Sequence, residues 1–335
     1  MKPTVALTMG DAAGIGPEIC LRAAADPRVL AECTPVIVGS ADVLAAVAEK
    51  LGLRLPPQEF RPASVRKGFS PGGPGIVNLA NLRRDAVVPG RVTDRCGRAA
   101  YECIVYAINQ TLAGSFAAMT TAPISKEALH EAGVQFAGHT EILDHLTREV
   151  HGREPGRAVM MLYSPRVTVS LVTTHVALKD VPGALEAEDI GYVIRRTHEA
   201  MTRILSRAPR IAVLGLNCHA GEGGLFGDEE RRAIGPAIER ARADGMDVTG
   251  PLPPDTAFTP RALERYDAHV CMYHDQGLIA FKTLSFEEGV NVTLGIPIIR
   301  TSVDHGTAFD IAWQGKADHA SLVSALLLAA RLTRA

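Results

Sequence analysis

Short apolar runs rich in β-branched residues alternate with longer segments of helical period along this chain. That alternation restricts it to an α/β architecture built on a largely parallel sheet. Thr4–Met9 and Pro35–Gly39 read as strands, each followed by a helical stretch, from about Pro17 and over Ala41–Lys50. Residues 95–112 predict a helix, because Ala100, Cys103, Ile104, Ala107 and Ile108 recur at helical spacing. Phe116–Thr121 predicts a buried strand, helices are expected near 125–132 and 140–149, and Val159–Leu162 and Val167–Val172 predict two strands about a Ser164-Pro165 turn. A long amphipathic helix over 186–206 follows, then strand 211–216, helix 228–243, strand 268–273 and a C-terminal helix over 319–333. The Pro- and Gly-rich stretch 56–75 reads as surface loop. No linker divides the chain, so a second domain has to be a lobe inserted in the first.

At 335 residues and 47% hydrophobic, the chain can bury the core of two domains. A net charge of -2 without a basic stripe argues against nucleic acid as a partner. No apolar run approaches the ~20 residues that span a bilayer. The six cysteines show no C-x-x-C pair, and Met1 leads directly into a strand-like segment without a signal-peptide core. Free thiols and a cytoplasmic location are the expectation.

Three histidines each close a β-like run: His175 after 166–174, His219 after 211–218, His274 after 268–273. In an open α/β sheet the carboxyl ends of strands line one crevice, where ligands bind. Three imidazoles delivered to one edge can converge on a divalent metal. Their neighbours Thr173-Thr174, Asn217 and Asp275-Gln276 are of types that orient an imidazole. The same residues also suit ordinary polar loop starts, and no H-x-x-x-H spacing decides between the two readings.

Other motifs carry similar alternatives. The loop Met9-Gly10-Asp11-Ala12-Ala13-Gly14-Ile15-Gly16-Pro17 opens a helix but lacks the third glycine of a dinucleotide fingerprint and any Walker lysine. It is either a tight turn or a ligand contact. Ala137-Gly138-His139-Thr140-Glu141 is a turn entering a helix, with Thr140 as its cap or His139 as an extra donor to an anion. Asn217-Cys218-His219-Ala220-Gly221-Glu222-Gly223-Gly224 is either a flexible turn or a closely approached binding loop. Lys282 and Arg300 stand near strand ends, where such residues hold carboxylate or phosphate; in isolation each would be solvated surface. The segment Asp304–Asp310 suits a ribose contact or a capped turn.

Together these motifs resemble the 4-hydroxythreonine-4-phosphate dehydrogenase (PdxA) family. The pieces that carry the resemblance are Gly138-His139-Thr140-Glu141, Thr173-Thr174-His175, His219-Ala220-Gly221-Glu222-Gly223, Tyr273-His274-Asp275-Gln276-Gly277, Gly289-Val290-Asn291 and Ile299 through Ala308. The resemblance implies a fold like isocitrate and isopropylmalate dehydrogenases. Two α/β lobes then flank a cleft: 1–123 with 297–335 on the nucleotide side, and 124–296 carrying the metal ligands and the dimer contact. It further implies a homodimer with shared active sites. His175, His219 and His274 become metal ligands. His139, Thr140, Lys282, Asn291 and Arg300 match substrate-binding positions. His305, Gly306, Thr307 and Asp310 fall beside the adenosine half of NAD or NADP.

The implied chemistry is oxidation of a secondary alcohol β to a carboxylate, followed by loss of CO2, assisted by the metal. Imidazole ligands suit Zn, Co or Ni, with Mg or Mn binding more weakly. Lys282, Asp275 and a metal-bound hydroxide are the candidate proton acceptors. The leading substrate is 4-phosphohydroxy-L-threonine.

The family commonly has proline where this chain has Cys218. The segments 124–129, 224–228 and 309–313 are closer to paralogues that act on threonate or erythronate 4-phosphates, and another relative oxidises a cis-dihydrodiol of terephthalate. An anion-binding regulatory protein and an acyl-phosphate transferase are the rivals from other classes; neither requires the histidine set.

Overall fold

A computed structural model describes residues 2–136, 138–151, 158–285 and 288–334, the side chains of 149–151 excepted. Ala137, the first residue of the turn leading to His139, lies outside them. The chain divides into two compact units, Met1–Ala158 with Ile296–Arg334, and Val159–Gly295.

The first unit opens with β1 (Thr4–Thr8), α1 (Gly16–Ala24), α2 (Pro27–Glu32), β2 (Thr34–Gly39), α3 (Ala41–Leu51), β3 (Gln58–Phe60) and β4 (Gly75–Asn78). It continues with α4 (Asp94–Leu112), β5 (Ala118–Thr121), α5 (Lys126–Glu131) and α6 (His139–His151). The second unit comprises β6 (Val159–Tyr163), β7 (Thr168–Leu171), α7 (Val181–Ala184), α8 (Ala187–Leu205), β8 (Arg210–Leu214), α9 (Gly235–Ala243), β9 (Asp247–Leu252), α10 (Pro260–Arg265), β10 (Ala268–Cys271), α11 (His274–Ser285) and β11 (Val290–Leu294). The chain then returns to the first unit as β12 (Arg300–Val303) and α12 (Ala320–Leu332).

In the first unit the strands run β3-β4-β2-β1-β5-β12, with every pairing parallel. Val5 and Leu7 point into one apolar cluster and Ala6 into another, the two-residue period of a strand buried on both faces. α1, α3 and α12 cover the first face; α4, α5 and α6 cover the second. Helix α4 forms where the sequence requires it. Thr93 accepts the Cys96 N–H as its cap (3.3 Å), and Cys96, Ala100, Cys103, Ile104, Ala107 and Ile108 are buried along one stripe. Each large aliphatic side chain so buried contributes about 1.5–3 kcal/mol.

In the second unit the order is β11-β6-β7-β10-β8-β9. β6 runs antiparallel to both β11 and β7, and the remaining pairs are parallel. The β6–β7 hairpin closes on Ser164, whose hydroxyl accepts the Arg166 and Val167 N–H groups. The run β7-β10-β8 matters most. These parallel neighbours bring their carboxyl ends side by side, and the segments that follow them carry His175, His274 and His219.

Four expectations are corrected. The boundary between units falls at 158 rather than 123, because Leu129, Ile142 and Leu143 of α5 and α6 join the cluster of Ile104 and Ile108 on α4. The stretch 56–75 is not all loop. Phe60 in β3 stacks edge-on against Phe69 at 5.1 Å, and that apolar anchor holds a short edge strand among the breakers. The helix expected over 228–243 is a π turn, Glu230–Ile234, running into α9; the Gly235 N–H donates to the Glu230 carbonyl. Strand β10 ends at Cys271, and His274 is the first residue of a helix, α11, that the apolar run 278–281 did not reveal. Among the described residues no helix is long and apolar enough to cross a membrane.

Candidate functional site

His175 and His274 meet at the end of the second unit's sheet. The Thr173 hydroxyl and N–H both donate to the Met272 carbonyl, at 2.8 and 3.1 Å, which sews the His175 segment to the end of β10. The His175 and His274 ring centroids lie 5.9 Å apart. The His274 Nδ1 is 2.7 Å from Asp275 Oδ1, so the carboxylate orients the ring through that nitrogen and leaves Nε2 as the other ring donor. His175 is exposed and His274 partly so. Lys282 lies two turns further along α11, exposed, and Asn291 is half-buried in β11 opposite Leu162.

His219 is built differently. His219, Ala220, Gly221, Glu222 and Gly223 have φ of 52, 52, 78, 45 and 70°, a turn of left-handed helix. For the three non-glycine residues that conformation costs roughly 1–2 kcal/mol each. The buried Glu230 carboxylate braces it, accepting the Leu216 and Asn217 N–H groups at 2.8 Å each and the Asn217 side-chain amide at 3.0 Å. The His219 ring sits beside Phe226, centroids 6.4 Å apart. It lines a cavity of about 270 Å³ with Cys218, Pro254, Asp255, Tyr273 and Gln276. Cys218, the residue before His219, is exposed and free.

The structure therefore brings two of the three imidazoles together and holds the third on its own turn. Among the described residues no group of three His, Cys, Asp or Glu side chains stands close enough to hold a metal.

The first unit gathers a second set. Arg300 is 3% exposed and donates from Nη2 to the Thr121 hydroxyl at 2.7 Å. Burial draws its guanidinium down to about 9, still cationic at neutral pH. Burial, and then the Arg300 charge, push His139 well below the ordinary imidazole range, so it is neutral. Its Nε2 is shielded from solvent and finds no hydrogen-bond partner among the described residues. α6 begins at His139, so Thr140 stands inside the first turn rather than capping it, and the Gly138 carbonyl accepts the Ile142 N–H at 3.2 Å.

In the first loop two glycines are required by close packing. A side chain at Gly14 would meet the Thr307 carbonyl at 2.8 Å, and one at Gly16 the Met9 carbonyl at 2.3 Å. Ile15 N–H donates to that Thr307 carbonyl at 3.0 Å, which joins this loop to the 305–310 turn. In that turn His305 and Asp310 are exposed, and the space beside Gly306 is open.

Sequence reasoning missed Glu230 altogether and treated Gln276 only as polar company. The signal for Glu230 was present as an acidic pair, Glu229-Glu230, shortly after the glycine-dense loop. Gln276 accepts the Met272 N–H at 2.6 Å and donates to the Gly215 carbonyl at 2.8 Å.

A family model described as Pyridoxal phosphate biosynthetic protein PdxA matches residues 31–329. The 4-hydroxythreonine-4-phosphate dehydrogenase of Desulfosudis oleivorans is 47% identical over 338 residues, covering 98% of this chain and 95% of its own. The D-threonate 4-phosphate dehydrogenase of Salmonella typhimurium is 45% identical over 332 residues, covering 98% of each. The crystal structure of 4-hydroxythreonine-4-phosphate dehydrogenase from Klebsiella pneumoniae matches with a TM-score of 0.85 at 41% identity, over 100% of this chain and 99% of that one. A family match across most of the sequence, joined to relatives nearly half identical along its whole length, establishes that this chain belongs to the PdxA family.

Proposed function

We propose that this protein is a metal-dependent, NAD(P)-linked dehydrogenase that oxidises the secondary alcohol of 4-phosphohydroxy-L-threonine, after which the resulting β-keto acid loses CO2. The observation that carries this reading is the paired His175 and His274 at adjacent strand ends. The near-half identity to an enzyme named for that substrate supports it. A second reading, D-threonate 4-phosphate as substrate, is favoured by a relative of that name at 45% identity. Both substrates place a hydroxyl β to a carboxylate and a phosphate at the far end.

The donor set suits a divalent ion. His175 and His274 are neighbouring, solvent-accessible imidazoles, one of them oriented by Asp275. A bound ion would supply Lewis-acid chemistry at neutral pH. His219 supplies the third imidazole, presented on its braced turn by a second copy of the chain. A homodimer with shared sites is the fitting assembly. Val176, Leu178, Leu225, Phe226 and Ile279 are exposed apolar residues of the second unit, flanking the three histidine segments.

The remaining roles are those the family resemblance implies, and charge and burial support some of them. Arg300 holds an anionic end of the substrate from a buried position, where charge-assisted hydrogen bonds are strong. His139, neutral and with a shielded Nε2, bonds a substrate oxygen, and Thr140 adds a hydroxyl on the same helical turn. Lys282 and Asn291 are further substrate-binding candidates. Lys282 or Asp275 takes the alcohol proton. His305, Gly306, Thr307 and Asp310 receive the adenosine half of NAD or NADP, with the exposed Asp310 carboxylate accepting from ribose hydroxyls.

The test is direct. Protein, a divalent metal, NAD+ or NADP+, and each of three substrates (4-phosphohydroxy-L-threonine, D-threonate 4-phosphate, a terephthalate cis-dihydrodiol) are mixed and nicotinamide reduction is followed. Chelator and His219→Ala should each abolish the signal. Turnover that survives both rejects the mechanism.

A further inference from the structure

The left-handed turn that carries His219 does not hold itself. His219, Ala220 and Glu222 gain nothing from positive φ, so something outside the turn must select it. The surrounding structure identifies Glu230. Its carboxylate, 8% exposed, takes the backbone N–H groups of Leu216 and Asn217, the residues that lead into the turn. Glycines shape the space it fills. A side chain at Gly221 would stand 2.7 Å from Glu230 Oε2, and one at Gly215 would stand 3.0 Å from Oε1. The π turn that begins at Glu230 directs this residue back toward the loop, and such irregular turns recur at functional sites.

The brace does not stop at His219's own loop. Glu229 accepts the Asn217 side-chain amide at 2.7 Å. Gln276, on the first turn of α11 beside His274, donates to the Gly215 carbonyl and accepts from the Met272 N–H. Met272 in turn receives both bonds from Thr173, next to the His175 segment. A chain of hydrogen bonds thus runs from Glu230 across three strand ends, touching the backbone near each histidine.

We infer that Glu230 is a positioning residue: through Leu216 and Asn217 it sets the left-handed turn that presents His219 to a metal. The inference rests on the proposed role of His219 as a ligand. It goes further in assigning a function to an acidic residue that touches neither metal nor substrate.

The experiment uses the full-length protein and Co2+ alone as probe, with binding followed by calorimetry. Amide exchange at Leu216 and Asn217 is measured in chelator-treated protein. Glu230→Gln should weaken Co2+ binding about 10- to 100-fold, the usual cost of losing a group that orients a metal ligand, and should speed exchange at both amides without any metal present. His219→Ala sets the scale for complete loss of the ligand. Ile190→Val, in the core of α8 away from the turn, should leave Co2+ affinity unchanged.

Unaltered Co2+ binding in Glu230→Gln beside a clear loss in His219→Ala would overturn the inference while sparing the ligand assignment. Full Co2+ affinity in His219→Ala would remove the ligand assignment and this inference with it. An equal loss in Ile190→Val would reduce Glu230 to general stability and also overturn it. Should Glu230→Gln not fold, Asn217→Ala serves instead. It removes the amide's two bonds, to Glu229 and Glu230, and should weaken Co2+ about three- to tenfold or more where Ile190→Val does not. No change there also overturns the inference.

Discussion

The imidazole rings of His175 and His274 approach to 5.9 Å between centroids, although 99 positions separate them in sequence, because β7 and β10 are parallel neighbours. Both rings reach solvent, and neither supports the core. His175→Ala and His274→Ala should each lower kcat/KM about a hundredfold or more, the scale of losing one electrostatic partner of the transition state. The stability of the metal-free protein should move by no more than about 0.5 kcal/mol. Steady-state kinetics and thermal unfolding in chelator check the two halves of this expectation separately.

Arg300 is buried and bonded to Thr121, so its fork is fixed before any ligand arrives. Lysine keeps the charge and loses the planar pair of donors. Arg300→Lys should raise KM for the phosphorylated substrate about tenfold or more, the worth of one charged hydrogen bond, and leave KM for the nicotinamide cofactor nearly unchanged. Equal changes in both would place Arg300 outside the substrate contact.

Asp11 gives the protein a pH dependence of known sign. Burial raises its carboxyl to about 6, and the Ala13 N–H bond only partly opposes this. Between pH ~4 and ~6 the folded chain keeps a proton that the unfolded chain has released, so stability falls as pH rises through that window, by about 3 kcal/mol. Asp11→Asn removes the titration. Relative to wild type it should change urea stability little at pH 4 and be more stable at pH 8. His139 works in the opposite sense: its lowered value costs stability as pH falls below ~6.5. That contribution is common to both proteins and cancels in the comparison. A constant difference at every pH would show that Asp11 does not titrate there.

Gly221 and Gly223 share a left-handed backbone, with φ of 78 and 70°, but not their surroundings. Alanine at either position costs roughly 1–2 kcal/mol for the conformation alone. At Gly221 the new methyl also meets the Glu230 carboxylate at 2.7 Å, whereas at Gly223 it meets nothing within 4 Å. Gly221→Ala should therefore be more destabilising than Gly223→Ala by about 1–3 kcal/mol in denaturant unfolding, the price of overpacking. Equal losses would argue against the carboxylate's place inside the turn.

Local pattern carried the reading where the physics is local. The two-residue alternation in β1 and the helical stripe of α4 are written in consecutive residues, so the α/β class and most element positions were legible. Motif resemblance carried the family. What escaped was set by neighbours distant in sequence. The helices over 126–151 joined the first unit because their apolar face matched α4, a fact no segment states by itself. β3 survived its breakers through Phe60 and Phe69.

The site shows the same division. The chain alone placed His175, His219 and His274 just beyond β-forming runs, because a strand and its end are matters of adjacent residues. Which histidine meets which depended on the order β7-β10-β8, a choice made by non-local strand pairing. The turn beneath His219 depended on a carboxylate eleven positions later folding back onto the amides of Leu216 and Asn217. Hydrogen bonds of that kind exist only once the backbone has brought donor and acceptor within reach, so tertiary structure alone could decide them.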